Sequence, residues 1–244
     1  MKLVWGRSGI GWVIFLSITW VVLWEDGFRL GAEEQQSQGY RFEKVVIRLL
    51  TGSEDLGTGY TSEWDIPAKF NHHSGRNISV KCIRWGNSVY LGDAMRQWQL
   101  GRGEESFEMV VGFYDIEERE GEGEAQAVLK SGAPGGNHAG IWRRSWGEIT
   151  EAELAALIAG IKDKPLAEAQ AYARAEAKRL RAKPGIIDIN PKVNKDQRRI
   201  QCSIPFEVFY REILKAEPEP QTELKLWGQN VPPSLIAGSR SRQK

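Results

Sequence analysis

The sequence predicts an α/β fold: a core in the order helix, three strands, helix, strand, followed by a helical and β-hairpin carboxy-terminal region. Three observations predict it. Within residues 39–50, Phe42, Val45, Val46, Leu49 and Leu50 fall at the spacing of one buried helix face. Between Asn77 and Trp85, Ile78, Val80 and Cys82 alternate with Ser79 and Lys81, the period of a strand with one apolar side. An Ala-rich stretch from Asp163 to Lys183 has Pro165 in its first turn, bases in its last and Pro184-Gly185 as its stop, the punctuation of a long helix.

The elements follow in order. After the first helix, 51–59 is a Gly- and acid-containing loop, and Tyr60 to Phe70 reads as extended chain that Pro67 confines to an edge or bend. Asn71 to Gly75 is a turn, and the strand of Ile78–Cys82 follows. Gly86-Asn87 is a hairpin signal, with Ser88 to Leu91 as the returning strand. Asp93 stands where the second helix begins, and Phe107 to Tyr114 is a largely apolar strand. Lys130 to Gly140 reads as a Gly-rich loop, Glu148 to Ile161 as a helix, and Ile186–Ile189 and Arg198–Ile204 as two strands flanking a polar connection. From Ala216 onward, prolines, charges and the Ser-Arg ending suggest a poorly ordered tail. The organisation expected is an apolar segment and linker over 1–38, a core over 39–115, a continuous helical and hairpin region over 116–215, and the tail over 216–244.

A length of 244 residues with 41% hydrophobic and 27% charged positions suits one domain with extensions and excludes a disordered or fibrous chain. Cys82 and Cys202 are the only cysteines, each inside an apolar run, which points to reduced core thiols and a cytoplasmic location rather than a disulfide framework or zinc site. The amino terminus disagrees: Gly9 to Trp24 is a run of 16 apolar or small residues behind Lys2 and Arg7. It reads as a membrane anchor, a signal peptide or an upstream extension from a misplaced start. The third is favoured because the remainder reads as intracellular, so a membrane enters only through residues 9–24.

The net charge of +1 hides a segregation. Residues 104–124 carry nine acids against Arg119, and residues 174–201 carry nine bases against Glu176, Asp188 and Asp196. The second stretch attracts a phosphate backbone and the first repels it, unless both are simply solvated faces.

Metal-assisted phosphodiester hydrolysis needs carboxylates for a hard cation and a lysine beside the attacking water. Asp65 and Lys81 supply these if their strands are adjacent. With Glu43 on the first helix, Trp64-Asp65-Ile66-Pro67 on one strand and Ser79-Val80-Lys81 on the next, residues 39–115 resemble the PD-(D/E)xK nuclease core, and in particular type II restriction endonucleases. That resemblance implies a Mg²⁺-dependent endodeoxyribonuclease that acts on double-stranded DNA as a homodimer. Asp65, Glu43 and Lys81 would then be catalytic. Ser79 stands where the family carries an acid, as in a subgroup with Ser-Val-Lys whose acid comes from the following helix. By that likeness Asp93, twelve residues after Lys81, is the replacement metal ligand. The plainer readings are an edge charge for Asp65, a snorkelling lysine for Lys81, a helix cap for Asp93, a solvated charge for Glu43 and a supporting hydroxyl for Ser79.

The polar segment Asn190 to Gln201 has side chains that read base edges and grip phosphates, and it looks like a recognition hairpin. Arg199 and Gln201 are favoured for bases, Lys192 and Lys195 for phosphate, with Asn194, Gln197 and Arg198 beside them. His72 and His73 match no zinc spacing and read as loop histidines near DNA. The rival functions are a nuclease fold that binds DNA without cutting it, which Ser79 keeps alive, and an unrelated membrane-anchored protein.

Overall fold

The computed structural model describes residues 38–53, 56, 64–102, 107–118, 125–137, 139–221 and 223–231. Contacts divide the chain into two units between Gln38 and Gly39, and the second unit, Gly39–Lys244, contains the folded core. The apolar run Gly9–Trp24 lies outside the described residues; among those described, no helix is long and apolar enough to cross a membrane.

The fold is mixed α/β. Helix α1 occupies 39–51 of the second unit, and its stripe of Phe42, Val45, Val46 and Leu50 is buried. That stripe lies against one face of a sheet in the order β1-β3-β4, formed by β1 (Ile78–Arg84), β3 (Phe107–Glu118) and β4 (Ala125–Asn137). The approach is close enough to require Gly112 on β3, since a Cβ there would stand 2.6 Å from the Phe42 ring. Strands β1 and β3 run parallel, Ile78 opposite Glu108 and Arg84 opposite Tyr114, while β3 and β4 are antiparallel. A parallel pair needs a crossover, and the chain between them supplies it with β2 (Val89–Asp93) and α2 (Ala94–Arg102).

The turn at Gly86-Asn87 forms, with the Asn87 amide donating to the Arg84 carbonyl at 3.0 Å, but β2 does not return along β1. It pairs instead with β6 (Arg198–Ile204) in a second sheet of order β2-β6-β5, whose third strand is β5 (Asp188–Val193). The reason lies in the apolar side chains: Val89 and Leu91 are buried together with Ile189, Ile200, Cys202 and Ile204, so the strand follows its hydrophobic partners. Strand parity thus makes two cores. One lies under α1; the other is filled by this second sheet with α2, α3 (Ala139–Trp146), α4 (Glu151–Lys162) and α5 (Leu166–Arg181).

Several expected boundaries move. Helix α4 begins at Glu151 because Thr150 and Glu153 form a capping box, and Asp163 closes α4 instead of opening α5. The expected extended chain Tyr60–Phe70 is reduced, where described, to an Ile66–Ile78 bridge and a 3-10 turn over Ala68–Phe70. The expected Gly-rich loop Lys130–Gly140 is strand β4 over most of its length. Its Gly132 makes room for Leu224, whose Cδ1 would stand 3.1 Å from a Cβ at that position. The expected loose tail is structured where it is described. After the short helix α6 (Phe206–Val208) and a π turn over Phe209–Leu214, β7 (Lys225–Leu226) and β8 (Gln229–Asn230) form a hairpin. Its two-residue turn is Trp227-Gly228, both at positive φ (51° and 79°), as a type I′ turn requires. Leu224, Leu226 and Val231 close the core beneath α1.

Candidate functional site

The residues flanking Asp65 hold it in place. Trp64 packs on Phe107 with ring centroids 4.9 Å apart, and Ile66, fully buried, exchanges two backbone hydrogen bonds with Ile78 at 2.8 and 3.1 Å. The Asn77 side chain then accepts from the Ala68 amide at 2.8 Å, fixing the chain beyond Pro67. Asp65 is thereby carried along the open side of β1. Its Oδ2 accepts from the Val80 amide at 2.6 Å, from Ser79 Oγ at 3.2 Å and from Lys81 Nζ at 3.4 Å. Ser79 links the group, because its Oγ also accepts from Lys81 Nζ at 2.9 Å, and the ammonium donates again to the Val80 carbonyl at 2.9 Å.

Ser79 and Lys81 leave β1 on the same face, opposite Met109 and Val111 in the register with β3, which is why two residues of one strand can grip one carboxylate. Both charges keep partial contact with solvent, Lys81 at 25% and Asp65 at 34% exposure, so a ligand can reach them. The Val80 amide is the member of this group that no reading of side chains could name.

Glu43, half-buried on α1, joins the cluster electrostatically. Burial raises its pKa first, the negative charge of Asp65 raises it further, and the Lys81 ammonium partly opposes both. Two carboxylates and one lysine therefore share a single field. Such a donor set suits a hard divalent cation, which binds through one or two protein carboxylates and completes its shell with water and substrate oxygens.

Asp93 does not join them. It ends β2 opposite Gln201, on the outer face of the second sheet, and its Oδ1 accepts from the Arg96 amide at 2.9 Å as the cap of α2. Among the described residues no three Asp, Glu, His or Cys side chains gather to hold a metal, so the expected triad of Asp65, Asp93 and Glu43 is reduced to the pair Glu43 and Asp65. The physical reason is the pairing of β2 with β6, which takes β2 away from β1.

The expected recognition hairpin forms as β5–β6, with Lys192 opposite Arg199 and Asn190 opposite Gln201. Arg199 and Gln201 share the outer face of β6, where half-exposed Tyr90 on β2 also lies, opposite Ser203. Lys192, Lys195, Gln197 and Arg199 are exposed. Two members are spent on structure. Arg198 Nη1 donates to the carbonyls of Ile161, Lys162 and Lys164 at 2.8, 3.2 and 2.6 Å, closing the end of α4. Asn194 Oδ1 accepts from the amides of Asp196 and Gln197 at 2.9 and 2.8 Å, forming the turn.

His72 and His73 are exposed in the turn after Asn71, and His73 stacks on Trp227 at 5.3 Å with rings 4° from parallel. Beneath them lies a cluster that no sequence pattern signals. Glu108, only 6% exposed, accepts from Asn71 Nδ2 (3.1 Å), Ser74 Oγ (2.8 Å) and Trp227 Nε1 (3.1 Å). Both of its oxygens accept hydrogen bonds, so it ties the turn and the carboxy-terminal hairpin to β3. The cysteines are free, as expected of core thiols, and burial raises both; the Cys82 thiol is pushed up to about 12.

No family model matches the sequence, and neither a curated protein nor a solved structure matches it.

Proposed function

We propose that this chain is a Mg²⁺-dependent endodeoxyribonuclease of the PD-(D/E)xK type, cutting double-stranded DNA at specific sites as type II restriction enzymes do. One observation carries the reading: Asp65 Oδ2 gathers the Val80 amide, Ser79 Oγ and Lys81 Nζ at one point, with Glu43 in the same field. The order of a helix, a bridged segment, strand β1, helix α2 and a strand parallel to β1 supports it. Action as a homodimer on a symmetric site extends the same reading.

In this mechanism Glu43 and Asp65 would hold the cation, which when bound would supply Lewis-acid activation of water and offset of phosphoryl charge. The Val80 amide fixes the orientation of the Asp65 carboxylate beside β1. Ser79 holds the lysine on the same side. Lys81 Nζ, whose contact with Asp65 is the longest of the three, orients the attacking water and stabilises the negative charge that builds on phosphorus. Water attacks, one P–O ester bond breaks, and the leaving oxygen departs opposite it.

The second reading, a DNA-binding protein of this fold that does not cut, draws on Ser79 in the acid's place and on the absence of a three-ligand group among the described residues. Digestion of unmethylated plasmid DNA in Mg²⁺ by the purified full chain, beside Asp65→Ala and Lys81→Ala, separates the two. Discrete fragments that both variants lose support the nuclease; intact DNA that still shifts in a gel selects the binding protein.

A further inference from the structure

Helix α5 and the turn that follows it carry basic residues on two sides, and the fold treats them differently. On one side Arg179 is paired with Glu153 at 2.8 Å and Glu176 at 2.9 Å, and Lys183 with Glu153 at 2.7 Å. On the other, Arg174, Lys178 and Arg181 follow at the i, i+4, i+7 spacing of one helix face. There they line a groove of about 490 Å³ against β5, with Lys192 on the opposite wall and no acid in the lining. Arg174, Lys178 and Lys192 are exposed and make no ion pair among the described residues.

The groove is also preformed. Arg181 clamps one end, its Nε and Nη2 donating to the Ile189 carbonyl at 3.1 and 2.6 Å and Nη2 to Asn190 Oδ1 at 2.8 Å. Gln170 clamps the other, its Nε2 donating to the Val193 carbonyl at 3.0 Å. Like charges one helical turn apart repel, so the helix keeps this row at a cost to its own stability unless an anion offsets it.

We infer that this groove is a phosphate track for DNA, distinct from the Asp65–Lys81 cluster, and that Arg174, Lys178 and Lys192 each neutralise one backbone phosphate; the inference rests on the nuclease reading. Arg174 and Lys178, four residues apart at 1.5 Å rise, stand about 6 Å apart along the helix, which along a duplex is about two phosphate steps of one strand. Arg174 and Lys178 lie on a helix, outside the hairpin to which the sequence pattern assigns DNA contact, while Lys192 belongs to that hairpin, where the same pattern assigns it to phosphate. They recognise charge and spacing, so the track sets affinity and register while base identity is left to other side chains.

The test is fluorescence anisotropy of a labelled mixed-sequence duplex, without divalent metal, across a range of salt. The proteins are the full chain, Arg174→Ala/Lys178→Ala/Lys192→Ala, the single Lys178→Gln, and Arg179→Ala as a paired-cation control. The triple variant should bind at least about ten-fold more weakly, its slope of log affinity against log salt shallower by about 0.9 for each cation removed, with Lys178→Gln giving a third of that change. Arg179→Ala should match the parent. A triple variant that melts like the parent and binds with the same slope overturns the track and leaves the nuclease reading standing. A parent chain that binds no duplex at all overturns both.

Discussion

The Asp65–Lys81 cluster and the β5–β6 hairpin look alike in sequence, each a set of polar side chains on an apolar strand, and the fold uses them in opposite ways. In the cluster, residues from α1, from the segment around Ile66 and from β1 converge, and three donors meet on one carboxylate oxygen. In the hairpin the residues diverge: Arg198 turns inward to three carbonyls and Asn194 to its own turn, while Lys192, Lys195 and Arg199 stay in solvent. A charge read from sequence thus has no fixed meaning until its partners are known. A cation facing several carbonyls is structural, and one facing water is free for a ligand.

Asp65→Asn tests the cluster with the largest expected effect. The amide oxygen can still accept from Val80, so the fold persists, but the charge proposed to hold a cation is gone. Cleavage of plasmid DNA in Mg²⁺ should fall by about 100-fold or more, the size seen when one electrostatic contributor is removed. If urea unfolding showed a large loss of stability instead, Asp65 would belong with Arg198 as a structural group. Arg198→Ala is the converse. Removing a guanidinium from three carbonyls should cost about 2–3 kcal/mol in urea unfolding, whereas Lys192→Ala and Arg199→Ala should stay within about 0.5 kcal/mol of the parent. Equal losses in all three would erase the contrast within the hairpin.

The same contrast explains what the sequence made legible. The apolar periods placed α1, β1 and β6 because each buries one face, and an unbroken apolar run placed β3, which is buried on both; burial is written in residue type. Asp65, Ser79, Lys81 and Glu43 could be chosen as a set because they flank those periods. Strand pairing was not legible: β2 follows a hairpin signal, yet its partner is β6, more than a hundred residues away, because Val89 and Leu91 complete that core. Glycine misled in β4, where Gly132 signals a close neighbour instead of a loop, and proline misled near the carboxy terminus, where Leu224, Leu226 and Val231 anchor a hairpin. Asp93 shows the consequence for a site. Its sequence distance from Lys81 fits a ligand, but the switch of β2 to the second sheet leaves it capping α2.

Glu43 offers a smaller and more pointed test. Its pKa is raised on folding, by burial first and by Asp65 second, so the folded state holds the proton more tightly than the unfolded chain. Ionised Glu43 therefore weakens the fold, and stability should drop as pH rises from the ordinary carboxylate value through the raised one. Glu43→Gln removes that loss. At neutral pH it should raise Tm in metal-free buffer, and it should lack any further rise that Mg²⁺ gives the parent. A variant no more stable than the parent, and still stabilised by Mg²⁺, would remove Glu43 from the cluster.

The smallest effect concerns Glu153, which neutralises the side of α5 turned away from the groove. Hydrogen bonds from Lys183 and Arg179 hold its carboxyl down to about 2, so the stability it contributes is present above the unfolded carboxylate value and is lost as pH falls from there towards 2. Glu153→Gln keeps the capping-box geometry, because glutamine can also reach the Thr150 amide, and removes only the charge. Acid unfolding followed by circular dichroism should then begin from a slightly lower stability and decline less steeply between the two pKa values. The variant also leaves Lys183 without a carboxylate partner and Arg179 with Glu176 alone. Duplex binding should gain a little affinity and salt dependence from cations the parent keeps neutral, which makes Arg179 and Lys183 resemble Arg174 and Lys178. If binding does not change, position along the groove matters more than unpaired charge, and the row on the β5 side is selected by its geometry.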